Sequence, residues 1–558
     1  MHIEVNGQPI PAEPGESILT ALTRAGIKVP TLCHMEGLPP SGACRICVVE
    51  LQGRGLVPSC AFPVGEGMQI QTHSPRVMRA RKTIVELLLA NHPDDCLYCS
   101  RNGECQLQAL AYETGVRKRR YTGPRNELDL DISSPSIVRD PNKCILCGKC
   151  VRTCEEIQGV AAIDFVGRGS STRIDTACEE GLNVSSCINC GQCIMACPTG
   201  ALAEQSHLKE VLAALNDPER FVVVQHAPAI SVSLAEEFGL KSGTEICEKM
   251  TTALRMMGFD RVFETSFSAD LTIMEEASEL IERIRNGGKL PMLTSCSPGW
   301  IKFVEEFYPD LIDHLSTCKS PQQMLGAVIK SYFAQREGLD PERIFSVSVM
   351  PCTAKKFEAE RPEMAREGRP DIDAVLTTRE FALMLRMRGL ELEQLPPSAA
   401  DTPFGERSSA GKIFGASGGV MEAAARTALK QLRGTDGIKE AHLEFDGASL
   451  GVAVVNGIGH ARTLLDQIRE GRSDLHFIEV MTCPGGCIAG GGQPLASDPE
   501  AVRARMRRLY QIDRDAQLRV SHQNPEIQRI YQDFLDQPLS ERSHQLLHTH
   551  YHPRSSLK

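Results

Sequence analysis

Cys144-x2-Cys147-x2-Cys150-x3-Cys154 recurs downstream as Cys187-x2-Cys190-x2-Cys193-x3-Cys197, closed by Pro198. Thiolates at this spacing suit sulfide-bridged iron, a soft acceptor that prefers soft donors. In this repeat the last cysteine of each run serves the other cluster. Cys144, Cys147 and Cys150 therefore pair with Cys197, and Cys187, Cys190 and Cys193 with Cys154, giving two [4Fe–4S] clusters. A double zinc site has the same ligands but needs neither the interleaving nor the closing proline. Upstream, Cys33-x10-Cys44-x2-Cys47-x12-Cys60 offers four loop thiolates for a [2Fe–2S] cluster, though not at the plant-type spacing. His92-x3-Cys96-x2-Cys99-x5-Cys105 offers three thiolates and an imidazole, a set that serves a cluster or a structural zinc.

Further along, three apolar runs each end in a cysteine loop: Thr294-Ser295-Cys296, Pro351-Cys352 and Thr482-Cys483. Ligands of open α/β sheets lie beyond the carboxyl ends of the strands, so converging loops of this kind describe one large metal site. Cys483-x3-Cys487 lies in a glycine-rich stretch where backbone can wrap a bulky group. Glu276 and Glu279 stand at i, i+3 on one helix face.

The elements that must position these groups read as follows. Residues 1–78 form a β-rich unit, with Asn6-Gly7 as a hairpin turn, a helix over 17–25 and a strand over 47–51. Residues 79–122 read as helical around the His/Cys set, and 116–125 as a basic connection. The repeat occupies 135–207. From 208 to 497 buried strands such as Phe221–Gln225 and Arg343–Met350 alternate with helices, and 498–558 is a polar helical tail. No Gly-x-Gly-x-x-Gly follows a strand, so no nucleotide site is expected in this chain.

Composition narrows the classes. The chain has 558 residues, 42% hydrophobic and 24% charged, with 22 cysteines and a net charge of −10. The acidic balance argues against nucleic acid. No apolar run is long enough to span a membrane, and no basic-then-apolar leader opens the sequence. The expected location is cytoplasmic, a reducing compartment where grouped cysteines hold metal rather than disulfides.

Three segments carry a specific resemblance. Thr294-Ser295-Cys296-Ser297-Pro298-Gly299-Trp300, the run from Met350-Pro351-Cys352 to Lys355-Lys356-Phe357-Glu358, and the run from Glu479-Val480-Met481-Thr482-Cys483 through Cys487 to Gln493-Pro494 resemble the three signatures of [FeFe] hydrogenases. The resemblance covers nearly the whole chain, and the N-terminal modules are similar to those of the complex I large iron–sulfur subunit. It implies a multidomain α+β and α/β protein: a β-grasp-like [2Fe–2S] ferredoxin domain, a His-ligated cluster domain, a two-cluster ferredoxin domain, and an α/β H-cluster domain with a C-terminal helical tail. It implies one [2Fe–2S] at Cys33, Cys44, Cys47 and Cys60, and three accessory [4Fe–4S] clusters, one of them on His92, Cys96, Cys99 and Cys105. It also implies the H-cluster, a [4Fe–4S] cube joined to a two-iron subsite with CO, cyanide and dithiolate ligands. By resemblance Cys352, Cys483 and Cys487 hold the cube, with Cys487 bridging to the subsite. Lys355 donates to a cyanide, and Met350 and Met481 line the subsite. Ala227-Pro228-Ala229, Gln322 and Phe414-Gly415 complete the pocket. Glu276, Glu279, Ser316, Arg283 and Cys296 form the proton relay of a reversible 2 H⁺ + 2 e⁻ to H₂ reaction.

One departure stands out. The family's first signature usually reads Cys-Cys-Pro, the first cysteine relaying protons and the second binding the cube; here it reads Cys296-Ser297-Pro298. Three donors are open for the fourth cube position: Ser297 as an alkoxide, Cys296 by a shift, or Cys318 from a segment that reaches the same pocket. Cys178 and Cys247 are left as free thiols. The modular N-terminus implies flavin, NAD(P)-binding and [2Fe–2S] partner subunits, with ferredoxin as the alternative donor. The rivals are a standalone ferredoxin-dependent hydrogenase, an H₂-sensing relative and a cluster-assembly relative.

Overall fold

Ile3, Val5 and Ile10 alternate with exposed residues and point into one core. Between them Asn6 (φ 53°) and Gly7 (φ 82°) both take the left-handed conformation that a tight two-residue hairpin requires. Strands His2–Val5 and Gln8–Pro11 pair antiparallel and open a five-stranded sheet completed by Gln69–Gln71, Val48–Leu51 and Gly55–Pro58. Ser17 caps the helix Ile18–Arg24, whose Ile18, Leu19, Ala21 and Leu22 are buried in that core. The computed structural model describes all residues except 124, 425–436, 446–447, 496–497 and 556–558. The boundary expected at 497 lies outside the described residues.

The stretch 79–122 is less helical than its pattern suggests. Helices run over Pro75–Asn91 and Gln106–Glu113, and the cysteine loop between them holds only a single short turn, Cys96–Tyr98. The loop's cysteines, rather than any helical periodicity, determine this part of the chain. In the repeat, the pseudo-twofold is written in the backbone. Leu146 (φ 54°) and Gly148 (φ 74°) correspond to Asn189 (φ 59°) and Gly191 (φ 70°), and each glycine starts a short helix, Lys149–Arg152 and Gln192–Ala196.

The cysteine loops beyond residue 208 hang from two sheets rather than one. Strands Arg261–Glu264, Phe221–His226, Ile344–Met350 and Ala374–Thr377 form a parallel sheet. Met292–Leu293, Phe477–Met481 and Ala448–Asn456 form a second parallel set, extended by the antiparallel strand Ile438–Phe445. Cys352 leaves the first sheet, and Cys296 and Cys483 leave the second, so carboxyl ends of both sheets face one site. The helix Thr265–Asn286 carries Glu275, Glu276 and Glu279, all buried. The C-terminal segment wraps this unit: buried Arg505 pairs with Glu236 and donates to the Ile488 carbonyl at 2.6 Å.

Candidate active site

Eighteen residues from eight stretches of chain enclose a cavity of about 90 Å³ where the two sheets meet. Ala227, Pro228, Cys296, Ser297, Gln322, Met350, Cys352, Lys355, Phe414, Gly415, Met481 and Cys487 all line it. Cys483 lies behind Cys487, close enough to sense both the Cys352 and Cys487 thiols. The walls are mostly apolar, and the polar groups are few and held. Lys355 Nζ donates to Glu358 Oε2 at 2.9 Å and to the Cys296 carbonyl at 3.1 Å. Gln322 accepts from Ser348 Oγ at 2.8 Å. A cation fixed in an apolar pocket is suited to an anionic ligand.

Cys352 and Cys487 in the wall, with Cys483 behind them, offer three thiols that fit a large iron–sulfur group. Burial pushes the Cys487 thiol up to about 12 and raises Cys352 and Cys483. Such thiols ionise only against a cation that arrives with the group. Ser297 opens the helix Pro298–Phe307 but does not cap it. A helix-opening serine ordinarily accepts from the first turn. Here Oγ turns the other way and meets Thr482 Oγ1 at 2.6 Å, beside the Cys483 loop. Cys318 is elsewhere: fully buried, with Sγ 3.8 Å from Glu279 Oε2, and not among the residues that line the cavity.

Cys296 faces two ways. It lines the cavity, and its thiol also senses the Glu276 carboxyl. Burial, then the neighbouring Glu279 carboxylate, raises Glu276 to about 8, with Ser316 within hydrogen-bond reach. Ser316 Oγ donates to Glu279 Oε2 at 2.8 Å, and Arg283 holds Glu279 Oε1 at 2.6 Å. Arg283 also donates to the Asp313, His314 and Leu315 carbonyls at the edge of the domain. Ser316, Glu279 and Arg283 are thus joined by hydrogen bonds, while Glu276, which the Cys296 thiol senses, keeps its Oε1 buried without a partner.

The accessory cysteines group as the spacing requires. Cys144, Cys147, Cys150 and Cys197 line one small cavity, and Cys154, Cys187, Cys190 and Cys193 another. In the N-terminal unit Cys47 and Cys60 Sγ atoms are 3.4 Å apart, and Cys44 N–H donates to Cys33 Sγ at 3.5 Å. His92 ends the helix Pro75–Asn91, and its Nδ1 bonds the Pro93 carbonyl at 3.0 Å. That bond leaves Nε2 unprotonated, and Nε2 is buried without a partner. An orphaned imidazole nitrogen beside a three-cysteine loop fits a metal ligand.

The second accessory site abuts the cavity wall. Thr353 Oγ1 donates to the Asn189 carbonyl at 2.7 Å, Gln192 to the Ala489 carbonyl at 3.0 Å, and Lys302 to the Cys187 carbonyl at 2.5 Å. A side chain at Gly491 would come within 2.2 Å of the Cys190 carbonyl, so glycine is required there. Two groups escaped the sequence reading of the site. Thr482, inside the third signature, meets Ser297 Oγ through its Oγ1. Glu479, in the same signature, is fully buried, sits near 7, and accepts from Gly418 and Met421 N–H at 2.8 and 2.7 Å. Its only local signal was an acid within an apolar strand.

Chain modules bearing cysteine-lined sites, one abutting a buried cavity with buried acids behind Cys296, define an iron–sulfur oxidoreductase. Residues 220–491 match the iron only hydrogenase large subunit, C-terminal domain, and 499–554 the iron hydrogenase small subunit. Residues 1–75 match a 2Fe-2S iron-sulfur cluster binding domain, 81–120 the NADH-ubiquinone oxidoreductase-G iron-sulfur binding region, and 134–203 the ferredoxin-like domain of NADH-quinone oxidoreductase subunit 3. The chain is 45% identical to the NADP-reducing hydrogenase subunit HndD of Solidesulfovibrio fructosivorans, covering 100% of this chain and 99% of that one. It is 39% identical to iron hydrogenase 1 of Clostridium pasteurianum, over 98% and 99% of the two chains. A solved [FeFe]-hydrogenase HydA1 variant from Chlamydomonas reinhardtii superposes with a TM-score of 0.57 at 40% identity, over 63% of this chain and 100% of that one. The chain belongs to the iron-only, or [FeFe], hydrogenase family. It is an oxidoreductase acting on H₂, with iron–sulfur domains preceding an H-cluster domain. Among the described residues no helix is long and apolar enough to cross a membrane.

Proposed function

We propose that this chain is the catalytic subunit of a cytoplasmic, NAD(P)-linked hydrogenase complex, with flavin-bearing and [2Fe–2S] subunits as its partners. The full-length likeness to a subunit named NADP-reducing, together with complex I-like N-terminal modules, carries this reading. A standalone ferredoxin-dependent enzyme is the second reading, favoured by the equally complete likeness to iron hydrogenase 1. Purification from the native host decides between them. Co-eluting flavin and H₂-dependent NAD(P)⁺ reduction support the complex. A lone chain that exchanges electrons with ferredoxin and not with NAD(P)H supports the alternative.

In this reading Cys33, Cys44, Cys47 and Cys60 hold a [2Fe–2S] cluster. His92 with Cys96, Cys99 and Cys105, and the two interleaved cysteine sets, hold three [4Fe–4S] clusters. Cys352, Cys483, Cys487 and Ser297 hold the cube of the H-cluster. A fully loaded chain then carries about 20 iron atoms, which iron analysis checks; half that value with zinc making up the rest would overturn the assignment. When bound, the H-cluster supplies an open iron position for heterolytic H₂ chemistry. The chain's own residues orient that group and supply its protons. Lys355, fixed by Glu358, presents a positive charge to a cyanide, and Met350, Met481 and Phe414 exclude water. Cys296 carries a proton at Sγ between the cavity and Glu276. Ser316 passes it to Glu279, and Arg283 holds Glu279 toward the surface.

Two expectations follow within this scheme. Glu276, raised to about 8, is protonated below that pH and charged above it. H₂ evolution, which draws a proton from Glu276, should therefore decline as pH rises through about 8, and the pH–rate profile of Glu276→Asp should shift its alkaline limb. An unchanged limb would remove Glu276 from the route. Second, His92→Cys should keep its cluster but lower the cluster's potential, because thiolate adds the negative charge that imidazole lacks. A redox titration reads this directly, and an unmoved potential would count against ligation by His92.

A further inference from the structure

A cation is buried in a protein against an anion, because an uncompensated charge is costly to desolvate. Every buried lysine among the described residues follows this, from Lys302 with Glu306 at 3.4 Å to Lys330 with Asp373 at 2.6 Å. Buried Arg139, Arg361 and Arg505 pair likewise with Asp175, Glu305 and Glu236. Arg81 and Arg101 do not. They are 7% and 5% exposed, and neither has a carboxylate within 4.0 Å. Each donates instead to a backbone carbonyl beside a cluster cysteine. Arg81 Nη2 meets the carbonyl of Val48, which follows Cys47, at 2.8 Å, and Arg81 Nε is buried without a partner. Arg101 Nη2 meets the Ile194 carbonyl at 2.5 Å, which also accepts from Cys197 N–H at 3.3 Å. The charge each guanidinium feels most is a sulfur, Cys47 for Arg81 and Cys197 for Arg101. The carboxylates nearest Arg101 are engaged or in solvent: Arg379 holds both oxygens of Glu204 at 3.0 and 2.9 Å, and Glu104 is exposed.

We propose that Arg81 and Arg101 are the counter-charges of the two clusters flanking the His92 module, Arg81 for the set on Cys33, Cys44, Cys47 and Cys60 and Arg101 for the set on Cys144, Cys147, Cys150 and Cys197, and that they raise the potentials of both. The inference rests on the cluster assignments proposed above. Both arginines belong to the His92 module: Arg81 lies on the helix Pro75–Asn91 that ends at His92, and Arg101 follows Cys99 by two residues. Each reaches into a different neighbour. A cluster on four thiolates is anionic and gains a further negative charge on reduction, so a fixed cation in a low-dielectric wall favours the reduced form. Arginine suits the task because it stays charged when buried. The seam with the repeat is close: a side chain at Gly200 would come within 2.5 Å of Cys99 Sγ. Lys143, on the same seam, is neutralised by Asp95 at 3.2 Å and Asp140 at 3.1 Å, which leaves Arg101 as the uncompensated charge. Both neighbours of the His92 module thus accept electrons more readily than their cysteines alone would allow.

The test is a redox titration of the fully matured, anaerobic protein followed by electron paramagnetic resonance, where slower relaxation separates the [2Fe–2S] signal from the [4Fe–4S] signals. Arg81→Gln should move only the [2Fe–2S] wave, and Arg101→Gln only a [4Fe–4S] wave, each to lower potential. At the parent's midpoint the affected cluster should be about one-tenth reduced instead of half, roughly a tenfold change in its redox equilibrium, or about 59 mV for one electron. Arg81→Lys and Arg101→Lys, which keep the charge, should stay near the parent. Each glutamine variant is the control for the other. Where one does not assemble its cluster, Arg81→Met or Arg101→Met, of similar volume, repeats the measurement. Unmoved waves in variants of full iron content overturn the proposal. Equal shifts in the glutamine and lysine variants also overturn it, since they assign the arginines to holding the Val48 and Ile194 carbonyls. A parent without a [2Fe–2S] signal fails the cluster assignment instead, and the role of Arg81 with it.

Discussion

Cys296→Ala should lower H₂ turnover by about 10²–10⁴, the loss typical of a missing general acid–base group, while the matured protein keeps the infrared bands of the diiron CO and cyanide ligands. The reason is positional. Cys296 lines the cavity and its thiol senses Glu276, the first acid of the line to the surface. Methyl in place of thiol leaves a gap between the cavity and Glu276. Cys296→Asp, which restores a proton carrier of similar reach, should recover part of the rate. Loss of the infrared bands in Cys296→Ala would instead make Cys296 a cube ligand, and near-normal turnover would refute both roles.

If Ser297 is the fourth cube ligand, as proposed, Ser297→Ala should be more severe, because it would remove a ligand rather than a carrier. The expected matured protein lacks the infrared bands altogether, and its turnover falls to background. Ser297→Cys should keep the bands, since a thiolate is the softer and better match to iron–sulfur. The cube's spectrum should then differ from that of the parent, because a harder, more basic oxygen donor has been exchanged. The structural warrant is the uncapped helix start: Ser297 Oγ turns away from its own helix toward Thr482, beside Cys483. Intact bands in Ser297→Ala would move the fourth ligand to another residue. Cys318 is the poorest substitute, since its sulfur is packed against Glu279 and away from the cavity.

Much of this was legible in the residues themselves. Ligand sets are local, so Cys144 to Cys154 and Cys187 to Cys197 announced their grouping by spacing, and the matched positive φ at Gly148 and Gly191 repeats it in backbone. The Asn6-Gly7 hairpin and the strands before Cys352 and Cys483 were equally local. What the pattern hid was long-range. Apolar runs ending in cysteine loops look alike whether they share one sheet or two, and only pairing separates Ile344–Met350 from Phe477–Met481. The helical reading of 79–122 holds over 79–91 and 106–113 but not between them, where the loop follows its cysteines and not a 3.6-residue period. The meeting of Cys318 with His548 spans over two hundred positions and leaves no trace in either segment.

The contact between Gly191 and Gly491 limits how this protein can be taken apart. A side chain on either glycine would strike the opposite wall: at Gly191 the Thr353 hydroxyl and the Gly491 backbone, at Gly491 the Cys190 carbonyl. The last ferredoxin half and the catalytic loop are therefore cut to one another's surface at this point, where backbone meets backbone. A single methyl group on either glycine would part the two surfaces, so at this seam neither side can change without the other.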